Sequence, residues 1–326
     1  MITESLKLVT TKDGEQIAVW KVFDSRVFNH DNSNHNSRDT AGCLTANGQN
    51  ILLTHGTFSD KHTCLRIAEY LAKLGHACYI MEWRGHGHSP LPKDEFNFET
   101  IATYDFAATF CYLFDELKLD NLHCVTHSGG GVGLTMFLVQ NPRYIDKVNS
   151  STMFACQAYG AVVSRQNYVK ILAAKVFTRV FGYIPAKRLK LGPVNESYYT
   201  MNQWYDWNLQ KNFQSSFIKQ SDNFKSNIIS IDEEFNHDES FDYRQHMPLI
   251  TTPIYAISAK GDNLISPTPG CQLFFDDFDN PASVFREYSI SNGDLEDYSH
   301  SRIMISRNAA KEVWPTVAAW IEKHTK

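Results

Sequence analysis

Three residues far apart in the chain carry the side chains that acyl-transfer chemistry needs: Ser128, Asp262 and His300. A serine hydroxyl is a poor nucleophile at neutral pH, so it requires a base to take its proton and an acid to orient that base. Ser128 lies in Asn121 to Gly133, N-L-H-C-V-T-H-S-G-G-G-V-G, where an apolar run stops at the serine. Three glycines follow before a helix-like apolar segment, Val132 to Val139. The pattern predicts a strand, a sharp turn and a helix, with the hydroxyl at the apex. Asp262 lies in A-K-G-D-N-L-I-S-P, just beyond a predicted strand, Pro253 to Ser258. His300 lies in D-Y-S-H-S-R-I-M, after a predicted strand, Ser283 to Ser289, and before the last helix.

Each residue also has an ordinary use. A serine after a buried strand is a common helix N-cap, an aspartate after a strand often closes an Asx turn, and a loop histidine is commonly just exposed. Their joint placement after successive strands favours the chemical reading. Asp294, Glu296 and Asp297 are nearer to His300 in the chain, but no predicted strand presents them. Gly129, Gly131 and Gly133 do not form a dinucleotide loop, because that frame puts Leu134 where the last small residue belongs. His86 and His88 fall in a tight turn with Gly85 and Gly87, and His30 and His35 in a polar stretch without acidic support, so neither pair reads as a metal site.

Attack on a carbonyl further requires donors for the developing oxyanion. The N–H of Gly129, at the predicted helix N-terminus, is one. The N–H of Thr57 is the other, because His55-Gly56 before it lets the backbone approach a substrate closely. Phe58 and His127, next to these positions, are candidate substrate-binding residues.

The elements that must hold these residues alternate. Leu6 to Val22 reads as a β-hairpin with a D-G turn, and Phe23 to Asn50 as a long polar loop. Strands are predicted over Ile51 to Thr54, Ala77 to Trp83, Leu122 to Val125 and Lys147 to Ala155, with helices over Thr63 to Leu74 and Glu99 to Leu117. This is an α/β pattern, a mostly parallel central sheet flanked by helices. It breaks over Tyr159 to His246, which has a helical run, Tyr168 to Phe181, and an aromatic cluster including Trp204 and Trp207 but no clear strand. The expected organisation is a core of residues 1–156 and 248–326 with a mainly helical cap insertion over 157–247. After it come a helix, Gly270 to Phe278, and a final helix, Ala309 to His324.

The totals narrow the class. The 326 residues are 43% hydrophobic and 21% charged, as in soluble globular proteins, and the formal charge of −5 argues against a nucleic-acid surface. No apolar run reaches about 18 residues, so no integral membrane segment is expected, and Met1 to Val9 lacks the pattern of a signal peptide. The cysteines are odd in number, lack C-x-x-C, and in four cases (Cys78, Cys111, Cys124, Cys156) sit in apolar runs, as buried free thiols do. A reducing cytoplasm is the expected compartment.

With these pieces assembled, the chain resembles the α/β-hydrolase superfamily. The matching pieces are L-L-T-H-G-T at 52–57, E-W-R-G-H-G-H-S at 82–89, T-H-S-G-G at 126–130, G-D-N-L-I-S-P at 261–267 and Y-S-H-S at 298–301. Thr126 and Glu82 depart from the usual Gly and Asp. The resemblance implies Ser128 as nucleophile, Asp262 as orienting acid, His300 as base and Gly129 with Thr57 as oxyanion hole, the triad following in the family's chain order. A serine at the elbow argues against the epoxide hydrolases and haloalkane dehalogenases of the superfamily, which use aspartate there. What is implied is hydrolysis of a carboxylic ester or related acyl bond in a small molecule, with no metal or organic cofactor. An acyltransferase or thioesterase on the same triad, or a non-catalytic module binding a small ligand, are the alternatives. Trp204, Trp207 and the Ile171 to Phe181 run would line an acyl pocket, packing being the other use of such residues. The oligomeric state is not legible.

Overall fold

The computed structural model describes residues 1–28, 48–219 and 240–325. Six strands precede an inserted segment: β1 (Ile2–Thr10), β2 (Gln16–Asp24), β3 (Asn50–Thr54), β4 (Ala77–Glu82), β5 (His123–His127) and β6 (Ser150–Phe154). The inserted segment adds two small antiparallel ribbons, β7 (Tyr183–Ile184) with β8 (Glu196–Ser197) and β9 (Gln214–Lys219) with β10 (Ser240–Asp242). β11 (Ile254–Ala259) and β12 (Val284–Tyr288) follow it. The main sheet has eight strands in the order β1-β2-β4-β3-β5-β6-β11-β12. β2 pairs antiparallel with β1 and β4; all other pairings are parallel.

Helices α1 (His62–Lys73), α2 (98–116) and α3 (Gly129–Gln140) alternate with the strands, α4 (Arg165–Phe181) and α5 (Tyr198–Gln210) lie in the inserted segment, and α6 (Thr268–Asp276) and α7 (Arg307–Lys323) come after it. Strands β3 to β6 and β11 are buried along their whole length, as expected of parallel strands covered on both faces. Side-chain alternation sends Leu52, Tyr79, Met81 and Cys124 to the face under α2 and α3, and Ile51, Leu53, Ile80 and Val125 to the face under α1 and α7. Helix α1 buries Cys64, Ile67, Ala68 and Leu71, a single helical stripe. α3 is buried all round save at Gln140, because it runs beneath the inserted segment rather than along the surface.

Several expectations change. The helix is longer than the apolar run Val132 to Val139: all three glycines after Ser128 form its first turn, and α3 begins at Gly129, at the position expected of the oxyanion donor. Glycine is a poor helix former, yet close packing demands it. A Cβ on Gly130 would lie 2.6 Å from the His55 carbonyl oxygen, and one on Gly131 2.4 Å from Cys156 Sγ. The inserted segment contains the two ribbons, whose strands of two to six residues are too short or irregular to announce themselves by alternation. β2 runs on to Asp24 and a helical turn follows, Ser25–Phe28; His30, His35 and Cys43 lie outside the described residues. Cys78, Cys124 and Cys156 are buried as expected, together with Cys64 and Cys271, whereas Cys111 is half-buried.

Polar side chains fasten the inserted segment to the sheet domain. Within that segment Asn208 of α5 accepts from the Ala161 N–H and donates to the Ala158 carbonyl, each at 2.7 Å, tying α5 to the chain that leaves the sheet. The buried Glu99 of α2 accepts from Gln203 Nε2 at 2.8 Å, the Ser216 N–H at 2.7 Å, Tyr243 Oη at 2.9 Å and Ser215 Oγ. Glu196 reaches from β8 to His86 Nε2 and to the Phe58 N–H, both at 2.8 Å. His86 and Glu196 are each 1% exposed. Burial alone would discharge the imidazole, but the Glu196 carboxylate holds its pKa above the ordinary histidine value. The stability this contributes is present in full below that ordinary value and is lost as pH rises through the raised one.

Two measurements check this packing. Gly130→Ala should lose about 1–3 kcal/mol in urea unfolding, the cost of overpacking against backbone that cannot swing aside. Glu196→Ala, which strands a buried imidazolium, should lose about 3–5 kcal/mol near pH 6. The gap to wild type should then narrow as pH is raised. A pH-independent gap would show that His86 is neutral in the fold.

Candidate active site

Ser128 stands between β5 and α3 with φ 53° and ψ −125°, a conformation L-residues rarely adopt. Its N–H donates to the Phe154 carbonyl at the end of neighbouring β6 (2.8 Å), and its carbonyl accepts from the Gly131 N–H (3.0 Å). The hydroxyl makes no capping bond to α3, which removes the N-cap alternative. Close neighbours enforce the turn. A Cβ on Gly56 would lie 2.7 Å from Ser128 Cβ, and one on Gly129 2.7 Å from the Phe98 ring and 2.9 Å from the Trp83 ring. Thr126, which replaces the usual glycine, is accommodated because Gly131 across from it has no side chain: a Cβ there would come 3.0 Å from Thr126 Oγ1. Cys156 behind the turn is no rival nucleophile, since burial pushes its thiol up to about 12.

Asp262 and His300 meet on adjacent loops. His300 Nδ1 donates to Asp262 Oδ2 at 2.6 Å. The loops touch where the Gly261 N–H donates to the Tyr298 carbonyl at 2.8 Å, and a Cβ on Gly261 would strike that carbonyl oxygen at 2.7 Å. The Asx turn weighed as an alternative is also present. Asp262 Oδ1 accepts from the Leu264 and Ile265 N–H groups and Oδ2 from that of Ser266 at 2.8 Å, so the turn itself aims the carboxylate. Burial would raise the Asp262 pKa, but the bond and charge of His300 and the backbone donors outweigh it and hold the carboxyl below its usual range. Because Nδ1 of His300 is committed to Asp262, Nε2 is the nitrogen left to exchange a proton. The competing acids are occupied elsewhere: Asp294 by Arg286, Glu296 by Arg302, Asp297 by the Ile290 N–H.

His127 belongs to this group in a way the sequence did not indicate. Its ring packs on that of His300, with centroids 4.8 Å apart, and its Nε2 donates to the His300 carbonyl at 2.9 Å. Burial and the adjacent His300 push its pKa down to about 3, so it stays neutral and spans the gap between the serine turn and the histidine loop. Its Nδ1 is buried without a partner among the described residues.

On the other side of Ser128, the loop after β3 supplies backbone donors. No acceptor among the described residues meets the N–H of Thr57 or of Gly129. His55 shapes this loop. Its pKa is driven well below normal by burial, and the neutral ring donates from Nδ1 to the Gly56 carbonyl (2.7 Å) while Nε2 accepts from the Trp83 N–H (3.3 Å). Phe58 has φ 64°, and its N–H is held by Glu196. Glu82 accepts from the Lys61 N–H (2.9 Å), the His88 N–H (3.0 Å) and Trp20 Nε1 (2.9 Å), bracketing the end of β4 against the chain after this loop.

The aromatic residues divide. Trp83, Phe98 and Trp207 form a row with centroids 5.9 and 5.6 Å apart, starting at Gly129. Trp207 is buried, donates to the Gln214 carbonyl at 2.8 Å and packs edge-on to Phe213; Trp204 is buried against Tyr205. The Ile171 to Phe181 run departs from expectation: Ile171 is buried, but Val176, Phe177, Val180 and Phe181 face solvent. Phe98 and Glu196 had no place in the reading of the sequence, and Trp83 and His86 entered it only as part of a strand end and its turn. A signal for Glu196 exists all the same, since it is the first acidic residue after Asp146.

Comparison with known proteins bears on the fold. The model of the alpha/beta hydrolase fold family matches residues 49–280. An sn-1-specific diacylglycerol lipase, ABHD11, of Xenopus laevis is 29% identical over 105 residues, a stretch covering 32% of this chain and 31% of that protein. An esterase from Exiguobacterium antarcticum superposes with a TM-score of 0.60 at 15% identity, covering 97% of this chain and 99% of its own. Alpha/beta hydrolase domain-containing protein 10 from mouse gives 0.60 at 14% identity, over 98% of this chain and 100% of its own. At such identities the structures speak for the fold alone. With the family match extending from the residue before β3 to beyond α6 and including the serine turn, the chain belongs to the α/β-hydrolase fold family.

Proposed function

We propose that this protein is a serine hydrolase that cleaves a carboxylic ester in a small molecule through an acyl-enzyme, with residues 157–247 acting as a cap over the site. The observation that carries the reading is the 2.6 Å bond between His300 Nδ1 and Asp262 Oδ2, on loops packed against a serine held at positive φ. His300 Nε2 takes the Ser128 proton as Oγ attacks the substrate carbonyl, and the Asp262 carboxylate stabilises the imidazolium. The N–H groups of Gly129 and Thr57 receive the oxyanion, the former with the dipole of α3 behind it. Collapse of the tetrahedral adduct expels the alcohol, which carries the proton from His300. Water, deprotonated in turn by His300, then releases the acid and restores Ser128. An ester is favoured over other acyl groups because the similar proteins include a lipase and an esterase by name.

Ser128→Ala should lower hydrolysis of p-nitrophenyl esters about 10³-fold or more while leaving the circular dichroism spectrum unchanged. A fluorophosphonate should label the wild type stoichiometrically and the variant not at all. Retained turnover in the variant would overturn the assignment; a wild type that is neither active nor labelled would make the site a binding module. Trp204→Ala should shift the preferred acyl chain length across an acetyl-to-palmitoyl series. A uniform loss on every ester would assign Trp204 to packing.

A further inference from the structure

Helix α4 is inverted. The residues it buries against the rest of the protein are Asn167, Ile171 and Thr178, two of them polar and hydrogen-bonded: Asn167 Nδ2 to the Ala161 and Asn263 carbonyls at 3.0 Å, Thr178 Oγ1 to the Ala174 carbonyl at 2.7 Å. Its solvent face carries Val169, Ala173, Val176 and Val180, at the i, i+4, i+7, i+11 spacing of one stripe. Val180 is 74% exposed and Val169 62%. Phe177 and Phe181 widen the stripe, and beyond β7 the helical turn Ala186–Leu189 and the chain after it carry two more exposed apolar residues, Leu189 and Leu191. A surface helix normally places such residues inward.

Positive charge is concentrated on the same stretch. From Arg165 to Asn195 there is no acidic residue, in a chain whose formal charge is −5. Helix α4 carries Arg165, Lys170, Lys175 and Arg179, and the helical turn after β7 carries Lys187 and Arg188 with Lys190 at its end. Lys175 is paired with Asp206 of α5; the others are exposed and have no acidic partner among the described residues. By helical spacing Lys170 and Arg179 lie on opposite sides of the valine stripe, Lys170 on the side of Phe177 and Phe181. An apolar centre with a cationic border is the pattern of a helix lying in the headgroup layer of an anionic bilayer, its valines and phenylalanines among the acyl chains and its lysines and arginines at the phosphates. A second copy of the chain does not suit the surface, since pairing it with itself would set unpaired cations against cations.

We infer that α4 and the chain through Leu191 form a docking surface for an anionic lipid bilayer. The surface is tied to both sides of the candidate site: Asn167 donates to the carbonyl of Asn263, next to Asp262, and the Val194 N–H donates to the Phe58 carbonyl at 3.2 Å. The inference rests on surface chemistry alone and stands whether or not the serine is catalytic.

The test is co-sedimentation of the full chain with vesicles of phosphatidylcholine, alone or with about 30% phosphatidylserine. Binding to the anionic vesicles should exceed binding to the neutral ones at least ~10-fold near 0.1 M salt and fall away near 0.5 M. The triple variant Lys187→Glu, Arg188→Glu, Lys190→Glu should erase the anionic preference, and Val176→Asp with Val180→Asp should weaken binding at least ~10-fold. Circular dichroism reports whether each variant folds; the charge variant alters only exposed side chains, so it remains decisive if the valine variant does not fold. No sedimentation at about 1 mM anionic lipid, or wild-type binding by the charge variant, would overturn the proposal. So would a dimer in sedimentation velocity that the valine variant dissolves without any vesicle binding, which would make the face a protein interface.

Discussion

The backbone of Ser128 is the constraint around which the structure is arranged. A positive φ at a residue with a side chain is unfavourable, and here it persists because three neighbouring elements close on it. Gly56 touches its Cβ, Phe98 and Trp83 crowd Gly129, and the N–H of Ser128 is tied to the end of β6. A single side chain on any of these glycines would force strand and helix apart. The close approach that strains the serine is also what sets the Thr57 loop against the first turn of α3, so strain and candidate oxyanion donors have one origin.

The second dependency is the ordering of the imidazole. Asp262 is held by three backbone donors before it meets His300, and His300 is held from behind by His127. An imidazole fixed at Nδ1 by a carboxylate and at its own carbonyl by a neutral neighbour has little freedom left except at Nε2. His127 performs this only because burial keeps it uncharged; a cation there would compete for Asp262. The inserted segment enters through Glu196, whose carboxylate spans His86 and the Phe58 N–H. The loop after β3 therefore takes its shape from a residue far along the chain, and the segment over the sheet and the candidate oxyanion loop are mechanically one unit. Its outward face, apolar and basic on α4, is chemically unlike the acidic remainder of the molecule.

The amino-acid sequence by itself determined the sheet and the candidate triad. Parallel strands buried on both faces must read as continuous apolar runs, a strained turn must be flanked by glycines, and loops after strands must present the reacting groups; these are local properties, so they are visible locally. It did not determine how much of the glycine run is helical, because helix propensity argues against glycine and only contacts with His55 and Cys156 favour it in the first turn of α3. It separated Asp262 from Asp294, Glu296 and Asp297 only by the predicted strand before it; the ion pairs and the backbone hydrogen bond that occupy the rivals exist only in three dimensions. Glu196, the role of His127 and the outward face of α4 were decided by tertiary structure alone. Each depends on what lies across a long sequence separation, and an apolar helical stripe looks the same in sequence whether it turns toward a core or toward solvent.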